Sequence, residues 1–373
     1  MRPQVIQLLS SAGTFGPIIL VPIILAEDFG ASKGFIGIVV GVFAAASFFS
    51  SYACGRAADI YGRRVIMLLG LSLSGVVTLL HIATLWLDSV LLFVLVRVLL
   101  GFAAGMFPAA LLAYAYETNN KMGKFSSWGA AGWGLGSLGI GMFGTLYDWA
   151  FLYCAIILFA SFGVALTLPF PRERRIHVPR FPVALIRKNV AVYASMLIRH
   201  TGANMIWVTY PLFLMSIGAE GVMIGAVYAV NAFSQFFIMN YIDRFNPSLL
   251  VAFGIGASAV TFALFAMTTH YWEIIPAQVL LASSWACLYV GSLRYVMEKS
   301  DEKATATGLL AGSMSLSGII GPLIGGFTAA IIGFRGAMLV ASGMAILALA
   351  VFLYELVASG EIYRLKRLTR LRR

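Results

Sequence analysis

Charge is what this chain has least of. Only 11% of its 373 residues are Asp, Glu, Lys or Arg, against 60% that are hydrophobic, and the mean hydropathy is +0.91. A soluble domain carries about 25% charged residues. A water-soluble fold of this composition would expose adhesive apolar surface on every side, so the chain reads as an integral membrane protein. Cysteine is equally scarce. Cys54, Cys154 and Cys287 all fall inside apolar runs. They have no metal-ligand spacing and no disulfide pattern, which leaves them as packing residues. Also missing are a phosphate-binding loop, a Walker motif, a Ser or Cys nucleophile with a base, and a cluster of His, Asp and Glu. Direct ATP hydrolysis, intramembrane enzymology, metals and cofactors are therefore not expected. No small-residue cleavage site follows the first apolar run, which begins at Val5, so that run reads as a retained span.

Long apolar runs are what the chain has in abundance. A helical crossing needs roughly 20 apolar residues. Twelve such runs lie near 5–25, 34–54, 65–87, 89–116, 125–145, 148–169, 190–215, 221–241, 248–269, 272–297, 304–330 and 334–357. Segment 170–189 is basic and contains prolines. It divides the chain into a first bundle of six (1–169), a central loop (170–189), a second bundle of six (190–357) and a basic tail (358–373). The fold class expected is all-α, with twelve transmembrane helices in two pseudo-symmetric six-helix bundles. A shared offset supports duplication: Asp59 and Asp243 are 184 residues apart, and the same offset carries Gly134 to Gly318 and Gly141 to Gly325.

Orientation follows from the cations. With the N-terminus inside, 22 of the 26 Lys and Arg residues fall at inner loops and ends. Only Lys33 and Arg335 fall outside, and Arg97 and Arg199 lie within spans. Cytoplasmic loops carry such an excess, and the inner leaflet is anionic. The net charge of +11 is thus explained by membrane lipids as partners. No nucleic-acid partner is expected. The expected setting is the plasma membrane, with both termini cytoplasmic.

Four charges concentrated in residues 55–67, "GRAADIYGRRVIM", carry more than this rule. The stretch resembles the signature loop between spans two and three of the major facilitator superfamily, with Gly55, Asp59, Gly62, Arg63 and Arg64 in place. Arg97, Gly101 and Gly105 resemble the family's second motif on span four. The second-half loop "MNYIDRFNPS" keeps Asp243 and Arg244 but loses the glycines. Span five lacks the Gly-Pro typical of the family's antiporters, whereas span eleven carries Gly321, Pro322 and Gly325 within "SGIIGPLIGG". The resemblance implies two bundles that rock about a central site, with Asp59 latching the inner gate. A carboxylate at a helix end can accept bonds from the free N–H groups that start a neighbouring helix, here span eleven. Gly55 allows close helix approach, and Gly62 allows a tight turn.

Polar side chains deep in a span are costly and face cavities or one another. Helical spacing groups Gln7 and Thr14 with Ser10 and Ser11 on span one. It groups His200, Asn204 and Trp207 on span seven, with Arg199 and Tyr210 beside them. Asn231 and Gln235 recur with Tyr228 on span eight, and Gln278, Trp285 and Tyr289 recur on span ten. In the family, spans one, four, seven and ten border the cavity. No acid lies deep in any span to pair with Arg97 or Arg199, so each needs water, carbonyls or an anionic ligand. Arg199 is read as the substrate contact, and Arg97 as a structural or proton-linked residue on the family pattern. His200 is the titratable candidate for proton coupling, and His81 is read as satisfied at the outer interface. The function expected is secondary active transport of a small organic solute by a monomer, with an anionic or amphipathic solute and an efflux-type direction favoured. An uptake permease for an organic acid, sugar or nucleoside is the alternative. From another class, a lipid flippase or scramblase is carried.

Overall fold

A computed structural model describes residues 2–61, 63–119, 122–169, 183–300 and 303–358. Its described residues are helical, with no strands among them. The helices are α1 (Arg2–Phe15), α2 (Pro17–Glu27), α3 (Lys33–Tyr61), α4 (Arg63–Trp86), α5 (Val90–Asn119), α6 (Met122–Gly141), α7 (Tyr147–Leu166), α8 (Val183–Lys188), α9 (Val190–Trp207), α10 (Tyr210–Ser216), α11 (Gly221–Met239), α12 (Pro247–Met267), α13 (Ile274–Lys299) and α14 (Lys303–Ala358). In hydrocarbon every backbone N–H and C=O must be satisfied within the segment, which leaves the helix as the form for such runs.

Nine stretches among the described residues are long and apolar enough to cross a membrane. The fifth run (α6) and the seventh (α9 with α10) are not among these nine, and the last two runs count as one, which accounts for the difference from the twelve expected. The last two runs form one helix, α14, that turns sharply at Gly333 (φ 76°), a left-handed backbone that suits glycine. The first and seventh runs are each broken. Pro17 and Pro211 have no N–H to return to Gly13 and Trp207, and the chain re-starts as α2 and α10. Finally, part of the expected loop 170–189 is the short helix α8, while 170–182 lie outside the described residues.

Contacts between distant residues fix an alternating path. Arg2 donates to the Thr167 carbonyl (2.7 Å), Arg64 to that of Leu166 (3.1 Å), and Arg294 to that of Phe245 (2.8 Å), all at what we term the basic end. At the opposite, acidic end the Trp86 indole donates to Asp148 (2.8 Å), and Arg335 donates to the Thr268 carbonyl (2.9 Å). Lys33 reaches the Ala329 carbonyl (3.5 Å) and lies 4.0 Å from the centre of the Phe334 ring. The two cations that break the inside excess thus cap helix ends, where carbonyls and the helix dipole favour positive charge.

The packing inside each half repeats. In the first half α1 packs on α6 and α7, α3 on α5, and α4 on α5 and α7. In the second half α9 packs on α14, α11 on α13, and α12 on α13 and α14. Across the halves, α3 packs on α14, α6 on α11, and α2 on α10. These seams run backbone to backbone. A side chain at Gly37 would overlap the Pro322 carbonyl oxygen, and one at Gly326 would lie 2.5 Å from the Lys33 carbonyl oxygen. One at Gly225 would lie 2.5 Å from the carbonyl oxygen of Ser137.

The cores differ between the ends. At the acidic end one buried cluster spans both halves, joining Ile19, Ile24 and Leu25 of α2 to Tyr210, Phe213 and Leu214 of α10. Towards the basic end the buried clusters each belong to one half, such as that of Met67, Leu111 and Phe125, or that of Val192, Tyr295 and Phe352. Among the described residues, the buried apolar cluster shared by both halves lies at the acidic end.

Close backbone approach makes some glycines irreplaceable. A side chain at Gly132 would overlap the Leu8 carbonyl oxygen, where α6 meets α1, whereas Gly343 faces open space. Gly132→Val is expected to lower stability by about 3 kcal/mol, the upper range for overpacking. Gly343→Ala is expected to be neutral or slightly stabilising. Thermal unfolding of the purified protein compares the two; equal midpoints would contradict the packing.

Candidate functional site

Arg199 sits on α9 and is 2% exposed. Its Nε donates to Ser258 Oγ (2.7 Å) on α12, and one Nη donates to Ser284 Oγ (3.3 Å) on α13. Its other Nη lies 3.5 Å from His200 Nδ1. The ring centres of Phe262 and Trp285 lie 5.4 and 5.5 Å from the guanidinium carbon. Arg199 is thus enclosed inside the second half. Both serines also donate to the Gly254 carbonyl (2.7 and 2.8 Å), which turns their lone pairs towards the guanidinium. With Nδ1 accepting from Arg199, the proton of a neutral His200 belongs on Nε2. The His200 ring stacks on Trp285 (4.8 Å, 19°), and Trp285 stacks on Tyr289 (5.4 Å, 19°). All three rings are half-buried, so a ladder of parallel rings leads from the enclosed charge towards the basic end.

A second group is an amide network. Asn231 donates to the Gln278 Oε1 (2.9 Å) and backbone carbonyl (3.1 Å). Gln235 donates to Asn231, and Gln278 donates to Tyr210 OH (2.6 Å). These side chains are buried and brace α10, α11 and α13 against one another. Beside them the rings of Trp207, Tyr210 and Tyr228 pack at 5.2–5.7 Å. Trp133 of α6 closes on Trp207 (5.8 Å) and Tyr228 (6.1 Å). This aromatic roof draws on both halves and lies beneath the shared acidic-end core. Asn204 donates to Ser317 on α14 (3.3 Å).

The first half contributes less. Gln7 donates to Ser11 (3.4 Å), and Thr14 Oγ1 is buried without a partner one turn before the α1–α2 break. Broken helices near mid-membrane are where transporters place their sites, and here the breaks flank Thr14 and Trp207. Arg97 on α5 is 2% exposed, 4.1 Å from the centre of the Phe43 ring. His81 is not interfacial as expected: it is fully buried, stacked on Phe151 (4.7 Å) and edge-on to Phe93 (5.3 Å). Helical spacing does not reveal that it points inwards.

Of the gate motif, Arg63 is buried and Arg64 caps the α7 terminus. Arg244 lies 5.2 Å from the ring centre of Phe245. The surroundings of Gly55, the side chains of Asp59 and Asp243, and all of Gly62 lie outside what is described. Gly101 and Gly105 bring α5 onto the Phe43 and Ser47 carbonyls, while Gly321 and Gly325 bring α14 onto Thr201 and Met205. Pro322 lies inside α14 and lends its carbonyl to the α3 seam. Sequence reasoning missed Trp133, Ser258 and Ser284. The signal for Trp133 was a large ring inside the glycine-rich "GWGLG"; single serines give none.

The comparisons agree with this geometry. A family model described as Major Facilitator Superfamily matches residues 5–193 and again 192–366. An uncharacterised MFS-type transporter of Methanocaldococcus jannaschii is 25% identical, over 83% of this chain and 86% of that protein. Multidrug resistance protein 2 of Bacillus subtilis is 25% identical over 46% of this chain and 44% of its own length. The crystal structure of the nucleoside transporter NupG has a TM-score of 0.77 at 12% identity, covering 95% of this chain and 98% of that one. That of the human organic anion transporter MFSD10 has a TM-score of 0.70 at 16% identity, covering 94% and 98%. At such identities the likeness is one of fold. The matched model spans nearly the whole chain, once for each of two similarly packed halves, and this chain belongs to the Major Facilitator Superfamily.

Proposed function

We propose that this transporter moves a small organic solute across the plasma membrane by alternating access, as a monomer with both termini cytoplasmic. The observation that carries this reading is the contrast between the two ends. A core shared by both halves lies at the acidic end, while the buried clusters towards the basic end each belong to one half. In this reading residues 1–169 and 190–357 are the two rocking bundles, and the shared core at the acidic end supports an outer side that is closed.

An anionic or amphipathic solute is favoured by the buried arginines, by the stacked rings of His200, Trp285 and Tyr289, and by the absence of any acid beside them among the described residues. Efflux is preferred on the likeness to a multidrug resistance protein. Uptake of a nucleoside or organic acid is the second reading, favoured by the aromatic roof, whose flat rings suit a planar heterocycle. Proteoliposomes loaded on one side and screened with organic anions, nucleosides and cationic dyes test it. Catalysed flux of none of them, in either direction, would sink the reading.

Asp59→Asn is expected to cut transport roughly 10-fold or more while leaving the unfolding midpoint unchanged. A carboxylate bonded to a helix N-terminus contributes about 1–2 kcal/mol to the state that contains it, here the inward-closed state. Unchanged flux would remove Asp59 from the gate.

A further inference from the structure

Arg97 is buried without a single protein hydrogen bond among the described residues. Its Nε is sealed from solvent with no acceptor. Its two Nη groups also lack protein acceptors, but they are not sealed and so reach open space. One face of the guanidinium lies over Phe43 at 4.1 Å. Arg199 is different, since each of its three nitrogens has a neutral partner.

Gly101 and Gly105, one and two turns further along α5, hold that helix against the Phe43 and Ser47 carbonyls with no space to slide. The titratable neighbour is His81, close enough for Arg97 to act on its charge. Its Nδ1 is bonded to the Val77 carbonyl (3.2 Å), and its Nε2 is sealed without a partner. A second base cannot neutralise a cation. The acid nearest to Arg97 in sequence is Asp88, nine residues earlier in the turn before α5 at the acidic end. A ring face offsets part of the cost of burying a cation but less than that cost. Water can hydrate the open Nη groups, but an anion there would also neutralise the charge.

We infer that Arg97 holds a compact monovalent anion, a carboxylate or a halide. Phe43 backs the guanidinium plane, and the open Nη groups make the contact. The guanidinium fork suits a carboxylate through two parallel bonds, and the same N–H groups can donate to a halide. If the anion is a carboxylate, the inference rests on the proposed anionic solute and names the group that recognises it. If it is a halide, the site is separate from the cargo.

The experiment is thermal unfolding of the full chain in detergent, titrated at constant ionic strength with chloride, bromide, acetate and benzoate. Binding to the folded state raises the midpoint in a saturable way. The expected result is a rise in wild type with at least one anion, unchanged in Gly343→Ala, which lies away from the site, and lost in Arg97→Gln. A rise with halides alone marks an ion site, and one with carboxylates alone marks the solute's own group. No saturable rise in wild type, or equal rises in wild type and Arg97→Gln, overturns the inference. If Arg97→Gln does not fold, anomalous scattering from bromide-soaked wild-type crystals and the carboxylate titrations decide together. A peak at Arg97 or a saturable carboxylate rise supports the site, and the absence of both overturns it. Flux is scored separately: anion binding without flux keeps the site and removes the transport reading, and flux without anion binding does the reverse.

Discussion

A Gly37→Leu protein is expected to open at its acidic end and to lose most of its transport. Gly37 lies on α3 where that helix meets α14 across the two halves, and a side chain there would overlap the Pro322 carbonyl oxygen and meet Gly326 Cα at 3.1 Å. Both are main chain and cannot rotate away. The seam must part, at the roughly 1–3 kcal/mol typical of overpacking, and only the acidic-end-closed state bears that cost. The population of that state should fall roughly 5- to 150-fold. A cysteine placed at Leu25, which is fully buried in the shared core, reports the change. It should resist a water-soluble maleimide in the Gly37 protein and react in the Gly37→Leu protein. Equal labelling of both would show that the α3–α14 seam does not hold the end shut.

Arg199→Met is expected to keep or raise stability while lowering transport roughly 10- to 150-fold, the range of a charge-assisted hydrogen bond. The signs follow from the partners. Ser258 and Ser284 already donate to the Gly254 carbonyl, so removing the guanidinium leaves no buried donor orphaned. Replacing a buried charge by an apolar chain of similar length is often neutral or stabilising. What is lost is the donor that holds His200 Nδ1 and the positive field behind the ring ladder. Unfolding midpoints and flux, measured on the same preparation, separate the two effects. A large fall in midpoint would mean that the charge is structural, and unchanged flux would mean that it is idle.

The bilayer made much of the fold legible. Hydrocarbon forces unbroken apolar runs, and the runs named the helices. The breaks were less legible because they depend on two prolines whose neighbours are as apolar as any others, and the turn at Gly333 is one glycine among many. Spacing grouped Asn231 with Gln235 and Trp285 with Tyr289, because residues one turn apart share a face; that His200 meets Trp285 and Asn231 meets Gln278 across helices was not legible. Spacing did not show how differently the two arginines are partnered. Arg199, read as the substrate contact, is enclosed by serines from α12 and α13, while Arg97, read as structural, has the N–H groups without protein acceptors. That distinction lies in which neighbouring helix supplies a hydroxyl, a fact of packing on which the sequence pattern is silent. The inner-gate reading at Asp59 still rests on its motif.

The two seams between the halves touch through main-chain atoms at Gly37, Gly225 and Gly326, and this has a consequence for how the protein can vary. A clash against a carbonyl oxygen cannot be relieved by trimming a side chain on the opposite helix, because there is none to trim. Saturation mutagenesis should therefore show these positions as isolated columns of intolerance, without compensating changes across the seam, while the ring ladder and amide network drift freely as selectivity changes. The surface that rocks and the surface that chooses would then evolve at different speeds within one chain.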